Sequence, residues 1–298
     1  MSAPSFSPII VTLNEEENIR ACLEHLAWCD ERILIDMRSQ DRTCQLAQDL
    51  ATTVLLQDPI PHMEFARNRG IEAAKGEWIL VVDADEVVPS PLAERLRVQA
   101  AQGDLAGIWI PRMNYSFGRP LPHVTGFPDY QLRAIRRGAG RYPDRLHSAP
   151  QLQGLTTYLP IEEGVWILHQ RANAGIGELV SKWDVYAAKE ARTALREGVA
   201  FGGPLGMLWA FLSAFRFRFF VSKGYRDGTA GLVLSLLFAF YRFEVEAKMW
   251  EASGCSAEWD RGVGRLRSFP HLVSALAAYG GRRLWKRLRD RLRSTHEA

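Results

Sequence analysis

Two carboxylates one residue apart, Asp83-Ala-Asp85, follow the apolar run Trp78-Ile-Leu-Val-Val82. On an extended backbone residues two apart point the same way, so both acids are expected to face one side at a strand end. Such a pair suits a hard divalent cation, Mg2+ or Mn2+, which in turn neutralises a diphosphate. A solvated loop is the plain alternative, and the buried run before the acids weighs against it. Asp36 closes a second apolar run, Ile33-Leu-Ile35, where a carboxylate can accept hydrogen bonds from a base or ribose. Ser39 and Asp41, just after it, also have the residue types of helix caps. Arg67-Asn68-x-Gly70 opens a helix and can approach phosphate or sugar, or Gly70 serves only close helix packing. Asn14 and Glu17 have capping-box spacing, and Glu15 adds to the acids that a helix dipole favours.

The elements that must position these residues follow a strand-then-helix rhythm from residue 7 to 112. Ile9-Ile-Val-Thr-Leu13, Ile33-Leu-Ile35, Val54-Leu-Leu56, Trp78 to Val82 and Gly107-Ile-Trp-Ile110 read as strands. Ile19, Cys22, Leu23 and Leu26 recur at helical spacing, as do Thr43, Leu46, Ala47 and Leu50. Further helices are expected over 64–74, 91–101 and 178–197. Strands spaced by helices imply an α/β fold with a mostly parallel sheet buried on both faces. Ligands of such sheets sit beyond the carboxyl ends of the strands, where Asn14 to Glu16, Asp36 to Asp41 and Asp83 to Glu86 lie. Residues 113–175 read as irregular, rich in Gly, Pro, Arg and aromatics.

A chain of 298 residues with 47% apolar and 24% charged residues is a folded protein, with room for one α/β domain and a helical extension. The expected boundary places residues 1–175 in the first and 176–298 in the second. The net charge of +3 says little, but its distribution says more. Pro204 to Phe215 and Gly231 to Phe240 are uncharged runs, each shorter than the roughly 20 residues of a bilayer-spanning helix. Arg282 to Arg293 interleaves seven basic residues with Leu284, Trp285, Leu288 and Leu292, the pattern of an amphipathic helix on anionic lipid. Nucleic-acid binding competes for that tail and ranks lower, because apolar residues alternate with the arginines. Met1-Ser-Ala-Pro-Ser-Phe-Ser-Pro8 has no basic n-region, so no ordinary secretory signal is expected. Cys22, Cys29, Cys44 and Cys255 have no C-x-x-C spacing, and three of them sit in helical segments among apolar neighbours, which fits buried thiols in a reduced cytoplasm.

The order Val11-Thr-Leu-Asn-Glu15, Asp36-x-x-Ser39-x-Asp41-x-Thr43, Ala66-Arg-Asn68-Arg-Gly70, Ala74-x-Gly76 and Trp78 to Glu86 resembles the family 2 glycosyltransferases of GT-A fold. That resemblance implies transfer of a sugar from a nucleoside diphosphate. Thr12, Glu15 and Asp36 would hold the nucleotide, and Asp83 and Asp85 would bind ribose and metal. Many relatives have Asp-Asp-Gly-Ser or Asp-Ser-Gly-Ser where this chain has Asp36-Met37-Arg38-Ser39. The remainder is similar to bacterial lipopolysaccharide core β-glucosyltransferases, on Phe127-Pro-Asp-Tyr-Gln-Leu-Arg133, Arg145-Leu-His147, Leu168-His169, Lys223-Gly-x-x-Asp227-Gly228 and Ala247-Lys-x-Trp250. The usual acidic residue after the equivalent of His147 is Ser148 here. UDP-glucose as donor and inversion at the sugar carbon are implied by this resemblance alone.

An inverting transfer needs a carboxylate to take the acceptor proton and a cation to stabilise the departing diphosphate. Asp129, between aromatics after the fifth strand, is the first candidate for the base, and its alternative is an ion pair with Arg133 or Arg145. Glu86 is the second candidate. His147 can complete the metal shell or serve structure, and Arg133, Arg136 and Arg137 can hold phosphate or form a solvated face. The expected function is sugar transfer to a lipid-linked or lipopolysaccharide-core acceptor on the cytoplasmic face of the cell membrane. A nucleotidyltransferase is one alternative, although the basic Gly-rich loop it needs after the first strand is acidic here. A non-catalytic membrane-associated scaffold is the other, and both Asp83 and Asp85 argue against it.

Overall fold

The computed structural model describes residues 3–60, 63–143, 149–171, 175–199 and 201–255. His147 and the basic tail therefore lie outside the described residues. By contact density the chain divides into two units: residues up to Pro122 with Gly126 to Asn173, and His123–Thr125 with the chain from Ala174 onward.

The first unit is built from strands β1 (Phe6–Thr12), β2 (Ile33–Asp36), β3 (Thr53–Leu56), β4 (Trp78–Asp83), β5 (Glu86–Val87) and β6 (Leu105–Ser116). After them come β7 (Arg119–Pro120), β8 (Asp129–Arg136), β9 (Gly140–Arg141), β10 (Gln151–Leu152), β11 (Leu155–Tyr158) and β12 (Ile167–Arg171). Helices α1 (Ile19–Glu24), α2 (Thr43–Ala47), α3 (Met63–Ala73) and α4 (Ser90–Ala100) connect the first strands, and after β7 comes the short α5 (Pro122–Thr125), whose last three residues belong to the second unit. The main sheet runs β3-β2-β1-β4-β8-β6-β12-β5, with β7 and β11 also on β6. Pairs β3-β2-β1-β4 are parallel, whereas β8 is antiparallel to both β4 and β6.

The parallel half follows from its sequence. Ile9 and Val11 of β1 face one layer with Ile33, Ile35, Ile79, Val81 and Ala66 of α3. Phe6 and Ile10 face the opposite layer with Leu34, Leu80, Val82 and the apolar faces of α1 and α4. A strand buried on both faces must be apolar throughout, which is why β1, β2 and β4 read as continuous runs. Gly70 has a packing role: a Cβ there would stand 2.8 Å from Ile35 Cδ1 and 3.1 Å from Ile9 Cβ, so α3 lies against the sheet only because the side chain is missing.

Residues 113–175 are not irregular. They supply the end of β6 and all of β7 to β12, including four strands of the main sheet. Asn14 is not a helix cap either. It adopts a left-handed conformation (φ 56°) and its Oδ1 accepts from the Gln40 amide at 2.8 Å, while α1 starts only at Ile19.

The second unit contains α6 (Ile176–Arg196), α7 (Gly203–Phe215) and α8 (Gly228–Ala252). A π-helical turn (Arg216–Val221) and a 3-10 turn (Gly224–Asp227) join α7 to α8. Ala187 and Ala191 of α6 pack on Val245 and Met249 of α8. Lys248 donates to Asp184 at 2.7 Å across that seam.

Candidate active site

At the carboxyl ends of β1 and β2, side chains tie two loops together. Thr12 Oγ1 donates to Asp36 Oδ1 (3.0 Å), Ser39 Oγ donates to the same oxygen (2.6 Å), and the Ser39 amide donates to Oδ2 (2.9 Å). The Asn14 amide donates to Ser39 Oγ (2.9 Å), the Glu15 amide to Thr43 Oγ1 (2.8 Å), and the Glu16 amide to Asp41 Oδ2 (3.0 Å). Asp36 is only 1% exposed and Thr12 is fully buried, so both act on this loop from beneath. Asn14 and Glu15 stand above them, exposed and half-buried.

The acid pair is not extended. Asp83 ends β4, Ala84 and Asp85 form a turn, and Glu86 begins β5. The same-side expectation required an extended backbone, and the turn gives the two acids different partners. Asp83 receives Arg67 Nη2 at 2.6 Å and Arg133 Nη2 at 2.6 Å. Glu86 is fully buried, accepts from the Asp83 amide at 2.9 Å, and binds Arg133 at 2.9 Å and Arg112 at 3.3 Å. Arg112 then makes two bonds to Asp129 Oδ2, at 2.9 and 2.6 Å. Acids and arginines therefore alternate along one line: Arg67, Asp83, Arg133, Glu86, Arg112, Asp129. Asp129 is thus ion-paired with Arg112, not with Arg133.

The charges on this line decide its protonation. Burial opposes ionisation of Asp83, yet the Arg133 and Arg67 guanidiniums hold its carboxyl far below the usual range. Burial likewise works against Asp129, and Arg112 overrides it and lowers that carboxyl. Glu86 goes the other way: burial pushes it up, and the adjacent Asp83 charge adds to the rise.

Asp85 faces β12. His169 Nε2 lies 3.1 Å from Asp85 Oδ2, and His169 Nδ1 lies 2.7 Å from Asn114 Oδ1. Asn114 also hydrogen-bonds Asp129, which as a carboxylate only accepts, so the Asn114 amide NH2 points there and its oxygen points at His169. The His169 Nδ1–H is then the donor to Asn114, and Nε2 faces the Asp85 carboxylate, both of them acceptors when the ring is neutral. Two acceptors at 3.1 Å repel unless a proton or a cation lies between them. Among the described residues no group of three or more His, Cys, Asp or Glu forms a ready metal cage.

The other expected residues serve these. Asn68 clamps the Tyr142 backbone, donating to its carbonyl and accepting from its amide, both at 2.9 Å. The Tyr142 ring in turn lies 5.4 Å from the Arg67 guanidinium that holds Asp83. Arg136 pairs on the surface with Glu77 at 3.2 Å. Arg112 and Asn114 were not anticipated. Their signal is the register of β12 on β6, which sets His169 beside Asn114, and no local pattern reveals it.

Known proteins bear on the same residues. Over 266 residues the chain is 25% identical to the lipopolysaccharide core biosynthesis glycosyltransferase LpsC of Rhizobium meliloti, covering 84% of this chain and 94% of that one. Among solved structures, TarS 1-349 of S. aureus in complex with UDP is 15% identical, with a TM-score of 0.42 over 85% of this chain and 93% of that one. Glucosyl-3-phosphoglycerate synthase from Mycobacterium tuberculosis, in complex with Mn2+, UDP and glucosyl-3-phosphoglycerate, is 22% identical with a TM-score of 0.33. That match covers 42% of this chain and about half (47%) of the synthase. Residues 7–148, which carry the Asp36 loop, the Asp83–Glu86 turn and Asp129, match glycosyl transferase family 2, and this segment is a domain of that family.

Proposed function

We propose that this glycosyltransferase is a metal-dependent, inverting enzyme that moves a sugar, glucose by resemblance, from a UDP-sugar to a lipid-linked or lipopolysaccharide-core acceptor. Residues 1–175 would be the catalytic part, and residues 176–298 would associate with the cytoplasmic face of the membrane. The observation that carries the metal reading is His169 Nε2 standing 3.1 Å from Asp85 Oδ2 while Nδ1 is engaged by Asn114. A carboxylate and an imidazole fit Mn2+ or Mg2+, with diphosphate oxygens completing the shell. His147, expected from the sequence as a metal ligand, lies outside the described residues. Bound there, the cation would supply charge stabilisation to the departing diphosphate.

The chain's own residues divide the remaining work. Asn14 and Glu15 would meet the nucleotide directly, with Thr12, Asp36 and Ser39 holding their loop in shape. Asp83 would receive ribose hydroxyls. Arg67 and Arg133 each have a buried Nε–H without a hydrogen-bond partner, which suits an incoming phosphate oxygen. Asp129, 28% exposed and ionised at neutral pH, would take the acceptor proton, whereas Glu86 is too enclosed to touch an acceptor and positions Asp83, Arg133 and Arg112.

The test is calorimetric titration of the full chain with UDP, GDP and their glucose and mannose conjugates, with and without Mn2+. One nucleotide should bind, Mn2+ should strengthen it, and Asp85→Ala should remove the Mn2+ effect while leaving the circular dichroism spectrum unchanged. A Mn2+ effect as large in Asp85→Ala as in the wild type would remove the metal assignment.

A further inference from the structure

Between residues 203 and 241 the sequence has four basic residues, Arg216, Arg218, Lys223 and Arg226, and one acid, Asp227. All five lie in the turns joining α7 to α8. The acid is hidden: Asp227 accepts from the Val124 amide at 2.7 Å, pairs with His123 Nδ1 at 2.7 Å, and its side chain is 3% exposed. Arg218 is also held inward, donating to the Val124 carbonyl at 2.9 Å with its guanidinium 4.3 Å from the Phe238 ring. Arg216, Lys223 and Arg226 point outward, and among the described residues none of the three has an ion-pair partner. Between them Phe217, Phe220, Val221 and Tyr225 are 54%, 59%, 53% and 49% exposed.

This surface is packed closely against the helices beneath it. Gly224 packs so closely on α8 that a Cβ on Gly231 would stand 1.9 Å from the Gly224 carbonyl oxygen. Phe219 stacks on Phe215 at 5.3 Å. Leu232, Leu236 and Phe240, four apart on α8, are exposed as well.

We propose that the α7–α8 turn seats the protein on an anionic membrane surface, Phe217, Phe220, Val221 and Tyr225 entering the interface while Arg216, Lys223 and Arg226 meet lipid phosphates. This deepens the membrane-associated reading above and rests on it. Exposed aromatics ringed by unpaired cations match the boundary between headgroup and acyl chain, which accepts apolar rings and carries negative charge. Helices Gly203–Val221 and Gly224–Ala252 are long and apolar enough to cross a membrane. Charge placement favours lying on it instead. The uncharged part of the first is the 13 residues of α7, roughly 20 Å at 1.5 Å per residue, against about 30 Å of hydrocarbon.

The experiment is co-sedimentation of the full chain with vesicles of phosphatidylcholine alone or mixed equally with phosphatidylglycerol. Two double variants are compared, Phe217→Ser with Val221→Ser and Arg216→Gln with Arg226→Gln, together with a chain ending at residue 281. Melting curves serve as the fold control. Wild type should bind the mixed vesicles and be released by high salt. Each cation near an anionic surface contributes roughly fivefold, so the arginine pair should bind at least about tenfold more weakly, and the apolar pair likewise. If wild type binds and both variants bind equally well, the turn is not the anchor although the membrane reading stands. If only the shortened chain loses binding, the tail is the anchor and the proposal fails. Wild type that ignores anionic vesicles overturns both readings. A dimer dissolved by the apolar variant shows a second copy covering this face, and also overturns the proposal.

Discussion

Charge is handled in opposite ways in the two units. Around Asp83, three arginines and three acids alternate, their side chains between 0% and 30% exposed, and each answers its neighbour. In the α7–α8 turn the one acid is buried, and three cations face outward with no ion-pair partner among the described residues. The first arrangement fixes geometry, since removing any member leaves a partner uncompensated in a poorly solvated place. The second costs little to leave unmatched in water, and keeps its charge available for something outside the molecule. A paired network positions and an unpaired patch recruits. The comparison can be broken by asking whether changes in the network act on chemistry and stability.

The largest effect is expected at Asp129. Asp129→Asn keeps the shape and a hydrogen bond to Arg112 but removes the proton acceptor. The rate constant for transfer should drop about a hundred- to ten-thousandfold, with donor binding in calorimetry unchanged. A loss of donor affinity with little change in rate would make Asp129 part of the network and nothing more. Next comes Arg112→Ala, which strands the buried Glu86 and frees Asp129. Because Arg112 is 18% exposed, we expect about 2–3 kcal/mol of lost stability in urea melts. Arg112→Ala combined with Glu86→Gln should recover part of that loss, and no recovery would break the alternating-charge account.

The smallest effect concerns acid. Asp83 and Asp129 have carboxyls lowered by arginines against the opposing influence of burial. Stabilisation from a lowered acid is complete above its unfolded value near about pH 4 and is lost as pH falls below it. The melting temperature should therefore decline from about pH 4 toward pH 2, and Asp129→Asn should make that decline shallower. An identical acid limb in wild type and variant would show that Asp129 gains nothing from Arg112 in the folded state.

The parallel half of the sheet was legible because both faces of β1, β2 and β4 are buried, leaving unbroken apolar runs. β8 and β12 were missed for the converse reason. Arg133 and His169 are buried at 4% and 5% exposure, paired inside, so polar residues that read as loop are in fact interior. The candidate site was legible as a set of residue types at strand ends, and its couplings were not. Asp83-Ala-Asp85 signals acids, but β12 settles that Asp85 faces His169, and α3 and β8 that Asp83 faces arginine. Asn14 shows the limit of spacing rules: an asparagine before a helix can serve a cap or a left-handed turn, and here Ser39 and Gln40 decided.

His169 lies 84 residues after Asp85, and its strand is the one that covers both β5 and the distal part of β6. At roughly 5–20 residues per second, a ribosome delivers His169 about 4–17 s after Asp85. Throughout that interval the Asp83–Glu86 turn and the outer edge of β6 wait without their partner. A nascent chain halted near residue 148, where the recognisable family segment ends, therefore displays an uncovered strand edge of the sort that recruits other chains. The last of the described strands to be made is the one that covers this edge, and the same strand brings the histidine to the acid.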